Sequence, residues 1–281
     1  MQLLFIVFLK IINLHKYPIY LIELQDLMNH MVVIFTITTK INIRKEKKKM
    51  ILQESRKYNL AKKIAKKLHP EIHVGGFGKT WQQHEDFLKH VAPFEHDPDS
   101  LERKFQMYQL LKMVKPLNGV TIELGAYKGS SSYTICSIMC RNHYMVDSFK
   151  GLKQPTTVGK EYKYWKAGDL YSFKEELENN LKQFKNIIYI VKGWIPEVLD
   201  NEELINKNFC FANIDVDLYH STFYSLKYCY ERMVKNGIIL IDDYGFKQCL
   251  GARIAVNTFM ENKLEPIIEF TTGQAFIVKK G

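Results

Sequence analysis

Short apolar runs alternate with helix-patterned segments through most of the chain after residue 100. Runs rich in β-branched and aromatic residues predict strands, and apolar residues spaced three or four apart between them predict helices. We predict strands at Val120–Leu124, Tyr144–Val146, Ile187–Val191, Phe209–Ile214 and Ile238–Ile241. We predict helices at Ser130–Cys140, Phe173–Gln183, Thr222–Val234 and Gly251–Asn262. This alternation is typical of an α/β fold, a mostly parallel sheet with helices on both faces.

The two ends of this region carry their own signals. A helix should begin at Asp99 or Ser100, both good capping residues, and continue to about Val114. At the other end, Pro266–Phe270 and Ala275–Val278 flank a glycine-containing turn. We therefore expect the chain to close with a β-hairpin.

Residues 1–49 differ from the rest in their pattern. Charged residues and a proline interrupt each apolar run before it reaches the roughly 18 residues of a membrane span, so we expect no span. The basic segment Arg44–Lys49 stands directly before Met50, and its purine-rich codons would resemble a bacterial ribosome-binding site. We therefore expect translation to start at Met50 and residues 1–49 to be a non-native or flexible extension. A membrane-surface anchor is the alternative.

The 281-residue chain has a formal net charge of +10, unevenly placed. Residues 1–49 hold eight basic and three acidic residues, which is half of the net charge. The remainder has no basic stripe interleaved with aromatic residues, so nucleic-acid binding is not expected. The five cysteines form no CxxC pair, which argues against a zinc site or a disulfide framework and favours the cytoplasm.

A glycine-containing turn, Glu123–Ser131 (ELGAYKGSS), follows the first predicted strand. Asp147 ends the second strand, at the position where α/β nucleotide-binding folds hold a ribose diol. The turn lacks the G-x-G-x-x-G pattern of dinucleotide folds, and Glu123 would repel a pyrophosphate. A carboxylate there suits the cationic end of an aminoacyl sulfonium, which favours S-adenosylmethionine over NAD. A plain βα turn with a satisfied carboxylate is the alternative.

Acidic residues follow two more predicted strands. Asp215 and Asp217 come directly after the fourth strand, and Asp242 and Asp243 after the fifth. Because the carboxyl ends of parallel strands meet at one edge, Asp215, Asp242 and Asp243 should lie close together. Such a cluster needs a proton or a cation, and oxygen ligands favour Mg²⁺. We expect Asp217 to point away from this cluster or to cap the next helix.

These residues together resemble the macrocin O-methyltransferase family (TylF/MycF type), whose members methylate sugar hydroxyls in natural products. The resemblance covers about residues 100–280. The matching segments are Ile122–Ser131 (IELGAYKGSS), Asp147–Leu152 (DSFKGL), Lys192–Pro196 (KGWIP), Asp215–Thr222 (DVDLYHST), Asn236-Gly237 and Asp242–Gly245 (DDYG). Ser130 stands where a second glycine is usual, and the segment after Gly193 departs from the family pattern.

The resemblance implies a Rossmann-like class I methyltransferase fold, with a seven-stranded, mostly parallel sheet and an antiparallel last strand. Residues 100–281 would form the S-adenosylmethionine-dependent domain. Residues 50–99 fall outside the resemblance, and their own pattern predicts a helical or irregular cap or lid. The resemblance implies a Mg²⁺ site at Asp215, Asp242 and Asp243. It implies cofactor contacts within the matching segments, for which we name Glu123, Gly125, Ala126, Ser130, Ser131, Asp147, Ser148, Gly193 and Trp194.

The expected reaction is Mg²⁺-assisted methyl transfer to a hydroxyl of a sugar or glycosylated small molecule. The catalytic base is Asp215 or His220, and only geometry can choose between them. We expect a small-molecule acceptor as the partner, and a homo-oligomer is left open. Two alternatives remain, an NAD(P)-dependent oxidoreductase on a similar sheet and a non-enzymatic glycan-assembly module.

Overall fold

A computed structural model describes residues 59–61, 63–64, 67, 81, 84–94 and 98–281. The predictions for residues 1–49, and most of the predicted cap, lie outside these residues. The chain divides into two compact units, Met1–Gly78 and Lys79–Gly281, and the second contains the sheet. Among the described residues, no helix is both long and apolar enough to cross a membrane.

Seven strands form one sheet in the order β3-β2-β1-β4-β5-β7-β6. Neighbours pair in parallel from β3 to β5, whereas β7 runs antiparallel to β5 and to β6. The expected seven-stranded sheet with an antiparallel last strand is therefore confirmed. The strands are β1 Val120–Leu124, β2 His143–Asp147, β3 Ile188–Lys192, β4 Phe209–Ile214, β5 Met233–Ile241, β6 Ile268–Glu269 and β7 Ala275–Val278.

Seven α-helices lie in the described part of this unit. They are α1 Glu85–Val91, α2 Pro98–Val114, α3 Ser130–Met139, α4 Lys174–Asn180, α5 Glu202–Ile205, α6 Tyr219–Arg232 and α7 Leu250–Met260. Short 3₁₀ segments extend several of the connections, including Lys182–Phe184 after α4 and Glu197–Asp200 before α5. The predicted helix over Phe173–Gln183 is therefore an α-helix followed by a tighter turn.

Alternate residues of the central strands pack into two different hydrophobic clusters. In β5, Ile239 and Ile241 belong to one cluster, and Ile238 and Leu240 belong to the other. Side chains alternate between the two faces of a strand, so these clusters cover opposite faces of the sheet. Helices α6 and α7 contribute to the first cluster, and α1, α2 and α3 to the second. Both faces are buried, as expected for a parallel sheet.

The chain reverses its direction of winding between β1 and β4. From β1 it proceeds outward through β2 to β3, and it then returns to place β4 and β5 on the other side of β1. In open α/β sheets such a reversal leaves a crevice beyond the carboxyl ends of the two central strands. The functional site should therefore lie beyond Leu124 and Ile214, the last residues of β1 and β4.

Gly125 enters this crevice with a φ of 90°. A β-carbon at this position would overlap the carbonyl oxygen of Asp215, the first residue after β4. The position therefore requires glycine for two reasons, the left-handed backbone conformation and the close approach of two strand ends.

We predict that Gly125→Ala will destabilise the protein much more than Gly168→Ala. Gly168 has a similar φ of 89°, but a β-carbon there would meet no atom within 4 Å. Gly168→Ala should cost about 1–2 kcal/mol through backbone strain alone. Gly125→Ala should add the steric overlap, typically about 1–3 kcal/mol more. Urea unfolding of both variants measures the difference, and equal losses would contradict the close approach of β1 and β4.

Candidate active site

A cavity of about 340 Å³ opens at the carboxyl ends of the parallel strands. Each of the five strands contributes to its wall the residue that ends it or closely follows it. These residues are Gly125 after β1, Asp147 in β2, Gly193 after β3, Asp215 after β4 and Asp243 after β5. The crevice predicted by the winding reversal is therefore the place where the polar strand-end residues converge.

Backbone hydrogen bonds continue the sheet ladder into this wall. The amide of Gly193 donates to the carbonyl of Asp147 at 2.9 Å, and the amide of Gly125 donates to Val146 at 2.8 Å. Asp215 donates to the carbonyl of Leu124 at 2.9 Å. The strand-end residues are therefore held in register by the sheet itself.

Asp147 lines the cavity and holds a well-defined carboxylate. Its oxygens accept backbone N–H bonds from Tyr127 at 2.8 Å and from Phe149 at 2.7 Å. Burial raises the pKa of Asp147, and the backbone donors oppose that rise. The carboxylate thus links the loop after β1 to the end of β2 and leaves part of its acceptor capacity facing the cavity.

Four other predicted cofactor residues also line the cavity: Gly125, Ser148, Gly193 and Trp194. The Ser148 hydroxyl donates to the carbonyl of Gly151 at 3.0 Å, and the Trp194 indole donates to the same carbonyl at 3.1 Å. The Trp194 side chain is partly exposed at the cavity mouth, with the Lys150 ammonium 5.2 Å from its ring. These contacts join the segments after β2 and β3 into one rim.

The structure places Glu123, one of the predicted cofactor residues, beside the cavity rather than in its wall. Glu123 is 1% exposed and lies outside the cavity wall, because its carboxylate accepts hydrogen bonds from Ser132 and from Asn213. Ala126, Ser130 and Ser131 were predicted as contacts too, and they also lie outside the wall. Ser130 and Ser131 are the first two residues of helix α3, which begins directly after the turn.

A buried chain of polar side chains surrounds Glu123. The Thr121 hydroxyl lies 2.9 Å from Nδ1 of His143, and Nε2 of His143 lies 3.0 Å from the Ser132 hydroxyl. Ser132 in turn donates to Glu123, and Nδ2 of Asn213 donates to Glu123 at 2.8 Å. When Glu123 is ionised, the Ser132 proton is used on Glu123, so Nε2 of His143 carries the proton that it shares with Ser132. The chain ties together β1, β2, β4 and the first turn of α3 beneath the cavity.

Burial shifts the pKa values of both ionisable members of this chain. Burial raises the pKa of Glu123 to about 7, against the two side-chain donors that lower it. Burial lowers the pKa of His143 to about 3. His143 is therefore neutral at physiological pH, and Glu123 changes its protonation near neutrality.

The predicted cluster of Asp215, Asp242 and Asp243 forms. One carboxylate oxygen from each lies within 4.8 Å of the others. Oδ1 of Asp242 accepts a 2.7 Å hydrogen bond from Gln274, and Oδ2 forms an ion pair with Arg103. The geometry therefore brings together, at the edge of the cavity, the three carboxylates proposed as a set from the sequence.

Asp217 does not behave as expected. It adopts a φ of 57°, and its backbone amide donates to Oδ2 of Asp243 at 2.9 Å. Its own carboxylate accepts a 3.4 Å contact from the thiol of Cys249 and makes no cap for α6. The left-handed backbone turns Asp217 toward the cluster, where it forms a second close group with Asp243 and Cys249.

The cluster has the electrostatics of a cation site. Burial, followed by the neighbouring carboxylates, raises the pKa values of Asp215 and Asp243 well above their usual range. Burial raises the pKa of Asp217 to about 6. Ionised together, these groups would repel one another without a positive charge between them. Three carboxylate oxygens at this spacing fit a hard divalent ion such as Mg²⁺.

His220 lies away from the main cavity. It is exposed and lines a neighbouring cavity of about 200 Å³, which shares Lys153, Ile195 and Ser221 with the main one. The prediction of His220 as a base beside the reacting groups is therefore not supported, because the first turn of α6 carries its side chain to the adjacent space. Of the two predicted bases, Asp215 is the one in the main cavity.

Sequence reasoning missed several residues of the site. Arg103 and Gln274 contact Asp242 from 139 and 32 residues away, and Phe246 and Cys249 also line the main cavity. Arg103 lies in α2, which the sequence marks only as a helix. Its position as the sixth residue of that helix is a weak signal, because only the packing of α2 on the sheet brings it to the cavity.

We predict that Glu123→Gln will alter the pH dependence of stability. Because the folded state raises the pKa of Glu123 from 4.5 to about 7, it binds more protons than the unfolded state in that range. The contribution of this group to the free energy of unfolding of the natural protein should therefore fall by about 1.4 kcal/mol per pH unit as pH rises from 4.5 to 7. The variant lacks this loss, so its stability relative to the natural protein should increase with pH.

Urea unfolding at a series of pH values across this window measures the effect. The opposing contribution of His143 is common to both proteins and cancels in the difference. The exposed Glu175→Gln variant is the control and should show no such trend. Parallel pH profiles for the natural protein and Glu123→Gln would contradict the assignment.

Comparisons with known proteins agree with this fold. The sequence profile of the macrocin O-methyltransferase (TylF) family matches residues 101–273. The O-methyltransferase NovP superposes with a TM-score of 0.56 at 19% identity, over 64% of this chain and 81% of NovP. CalS11, a calicheamicin methyltransferase, gives 0.55 at 17% identity, over 74% of this chain and 94% of CalS11. No curated protein sequence matches the chain.

The two structural likenesses confirm the Rossmann-like class I methyltransferase fold. The profile match covers more than half of the chain and includes all five strand ends that form the cavity. It favours methyl transfer over the oxidoreductase and non-enzymatic alternatives. The chain belongs to the macrocin O-methyltransferase (TylF) family and is an O-methyltransferase.

Proposed function

We propose that this enzyme transfers a methyl group from S-adenosylmethionine to a hydroxyl of a sugar or glycosylated small molecule, with the assistance of Mg²⁺. The convergence of Asp215, Asp242 and Asp243 within 4.8 Å carries the proposal. The cluster borders the same cavity as Asp147, so one site has room for a nucleoside and for a metal. Family membership supports the choice of an oxygen acceptor.

The part of the cavity beyond β1, β2 and β3 is suited to the cofactor, which supplies an electrophilic methyl group when bound. Asp147 would accept hydrogen bonds from the ribose diol, since two backbone amides already orient its carboxylate. Gly125 and Gly193 would let the backbone approach the ligand, and Trp194 would pack against the adenine. Glu123 would act from below, by holding the loop rather than by contacting the cofactor.

The carboxylate cluster is suited to Mg²⁺, which lowers the pKa of a coordinated hydroxyl and orients it. Hydrogen bonds from other parts of the chain already orient two of the proposed ligands. Gln274 holds Asp242, and the backbone amide of Asp217 holds Asp243. Such outer contacts fix the orientation of metal ligands. Asp215 would accept the proton of the acceptor hydroxyl on a carboxylate oxygen, since it is the predicted base that lines the main cavity.

The neighbouring cavity is suited to the rest of the acceptor. Its wall combines polar side chains, such as Gln154 and His220, with the partly exposed ring of Tyr224. A sugar presents hydroxyl groups at its edge and C–H groups on its faces, and this mixed lining matches both. Because Ser221 borders both cavities, an acceptor lying there would extend toward the metal cluster.

We predict that S-adenosylhomocysteine will stabilise the protein and that NADH will not. A ligand at about one hundred times its dissociation constant adds roughly 2.7 kcal/mol. For a chain of this size the midpoint of thermal unfolding should rise by about 5–10 °C. Asp147→Asn should remove most of this rise, whereas the exposed Asp200→Asn should keep it. A shift with NADH alone would overturn the cofactor assignment.

We predict that Asp215→Asn will lower methyl transfer at least about 100-fold, which is the usual scale for loss of a proton acceptor. Transfer of labelled methyl groups to a panel of sugar and glycoside acceptors measures the rate. EDTA should stop transfer by the natural enzyme, and added Mg²⁺ should restore it. The thermal shift with S-adenosylhomocysteine should survive in the variant. An Asp215→Asn enzyme that turns over normally would exclude Asp215 from catalysis.

A further inference from the structure

A basic side chain already occupies the edge of the carboxylate cluster. Arg103, on the N-terminal half of α2, forms an ion pair with Oδ2 of Asp242. The Asp242 side chain is 7% exposed and the Arg103 side chain 29%, so the pair is largely shielded from water. The guanidinium also lies 5.3 Å from the ring centre of Phe246, which lines the same cavity.

Arg103 is the cation of this cluster within the described part of the chain. The ion pairs found there include none between another Lys or Arg and Asp215, Asp217 or Asp243. The influence of Arg103 extends beyond its direct partner, since its positive charge opposes the rise that burial causes in the pKa values of Asp217 and Asp243. One guanidinium therefore offsets part of the repulsion among several buried carboxylates.

A built-in cation and a bound divalent ion act on the same negative charge. A unit charge within several ångströms of a poorly solvated site strongly changes the free energy with which that site binds another ion. The guanidinium stabilises the cluster before a metal arrives, and it repels the metal once the metal is bound. Both effects lower the affinity of the cluster for a divalent ion.

We propose that Arg103 is an internal counter-ion that sets the metal affinity of the Asp215, Asp242 and Asp243 site by neutralising Asp242. This inference rests on the proposed metal site and adds a positioning residue to it. Because Arg103 belongs to α2, the occupancy of the site is coupled to the helix that packs on the face of the sheet covered by α1 and α3. The pairing keeps the site assembled without metal and keeps the metal exchangeable.

The test is the affinity for Mn²⁺, measured by electron paramagnetic resonance on the full chain after removal of metals with EDTA. Arg103→Gln removes the charge but keeps an N–H donor for Asp242, and Gln274 still holds the other oxygen. The variant should bind Mn²⁺ at least about tenfold more tightly than the natural protein. In EDTA it should unfold at a lower temperature, and added Mn²⁺ should raise its midpoint by more than that of the natural protein.

Three further variants make the result specific. Arg103→Lys keeps the charge and should bind Mn²⁺ nearly as the natural protein does. Arg232→Gln removes the same charge from the end of α6, where Arg232 lies over the ring of Tyr228, and should leave the affinity unchanged. Asp242→Asn removes a ligand and defines the level of non-specific binding.

The outcomes separate this inference from the proposed function. In one outcome, the natural protein binds Mn²⁺ and Arg103→Gln binds it with equal or weaker affinity. That result would overturn the counter-ion role and leave the metal site intact. A gain of the same size in Arg232→Gln would overturn it too, since the effect would then come from net charge. If neither the natural protein nor Arg103→Gln binds above the Asp242→Asn level, the metal site itself fails, and the counter-ion role fails with it.

Discussion

The close approach of Gly125 to the carbonyl oxygen of Asp215 is the contact on which the site depends. It lies where the winding of the sheet reverses, between β1 and β4. Because Gly125 has no β-carbon, the ends of β1 and β4 can lie in contact. The crevice lies beyond these two strand ends. Asp147 and Gly193 reach the crevice from β2 and β3, and Asp243 reaches it from β5. A larger residue at position 125 would displace the strand ends that carry the chemistry.

The protein holds its buried carboxyl groups in two different ways. Glu123 lies among neutral donors, Ser132 and Asn213, and its raised pKa lets it carry a proton near neutrality. Asp242 instead pairs with a fixed cation, Arg103. Burial works against the ionised form of Glu123, which therefore costs stability unless it carries a proton. The first arrangement supports the loop beneath the cavity, and the second suits a site that receives a metal.

Much of the fold could be predicted because local patterning and sheet topology agree. The bounds of β1 and β4 were predicted to the residue, and the three acidic strand ends met as parallel pairing requires. The strand β5 begins at Met233, earlier than predicted, because Lys235 and Asn236 are polar and Gly237 has no side chain, so none of the three indicates a strand. The sequence pattern there has no alternation that would identify a strand.

The structure also shows side-chain directions and distant contacts that the sequence pattern does not predict. Glu123 and His220 are of the right chemical type, yet one faces a buried polar chain and the other an adjacent cavity. Asp217 turns toward the cluster because of a left-handed backbone that its neighbours do not predict. Arg103 and Gln274 reach Asp242 only through tertiary packing. No local pattern encodes these contacts, so they had to come from the structure.

The central claim is that the strand ends form a single site for S-adenosylmethionine and a divalent ion. The most direct test is a crystal structure of the full chain grown with S-adenosylhomocysteine and Mn²⁺, with an anomalous difference map to locate the metal. The account predicts one strong peak among the carboxylates of Asp215, Asp242 and Asp243, and the ribose of the nucleoside beside Asp147. A peak elsewhere, or a nucleoside bound away from Asp147 with no metal at the cluster, would contradict it.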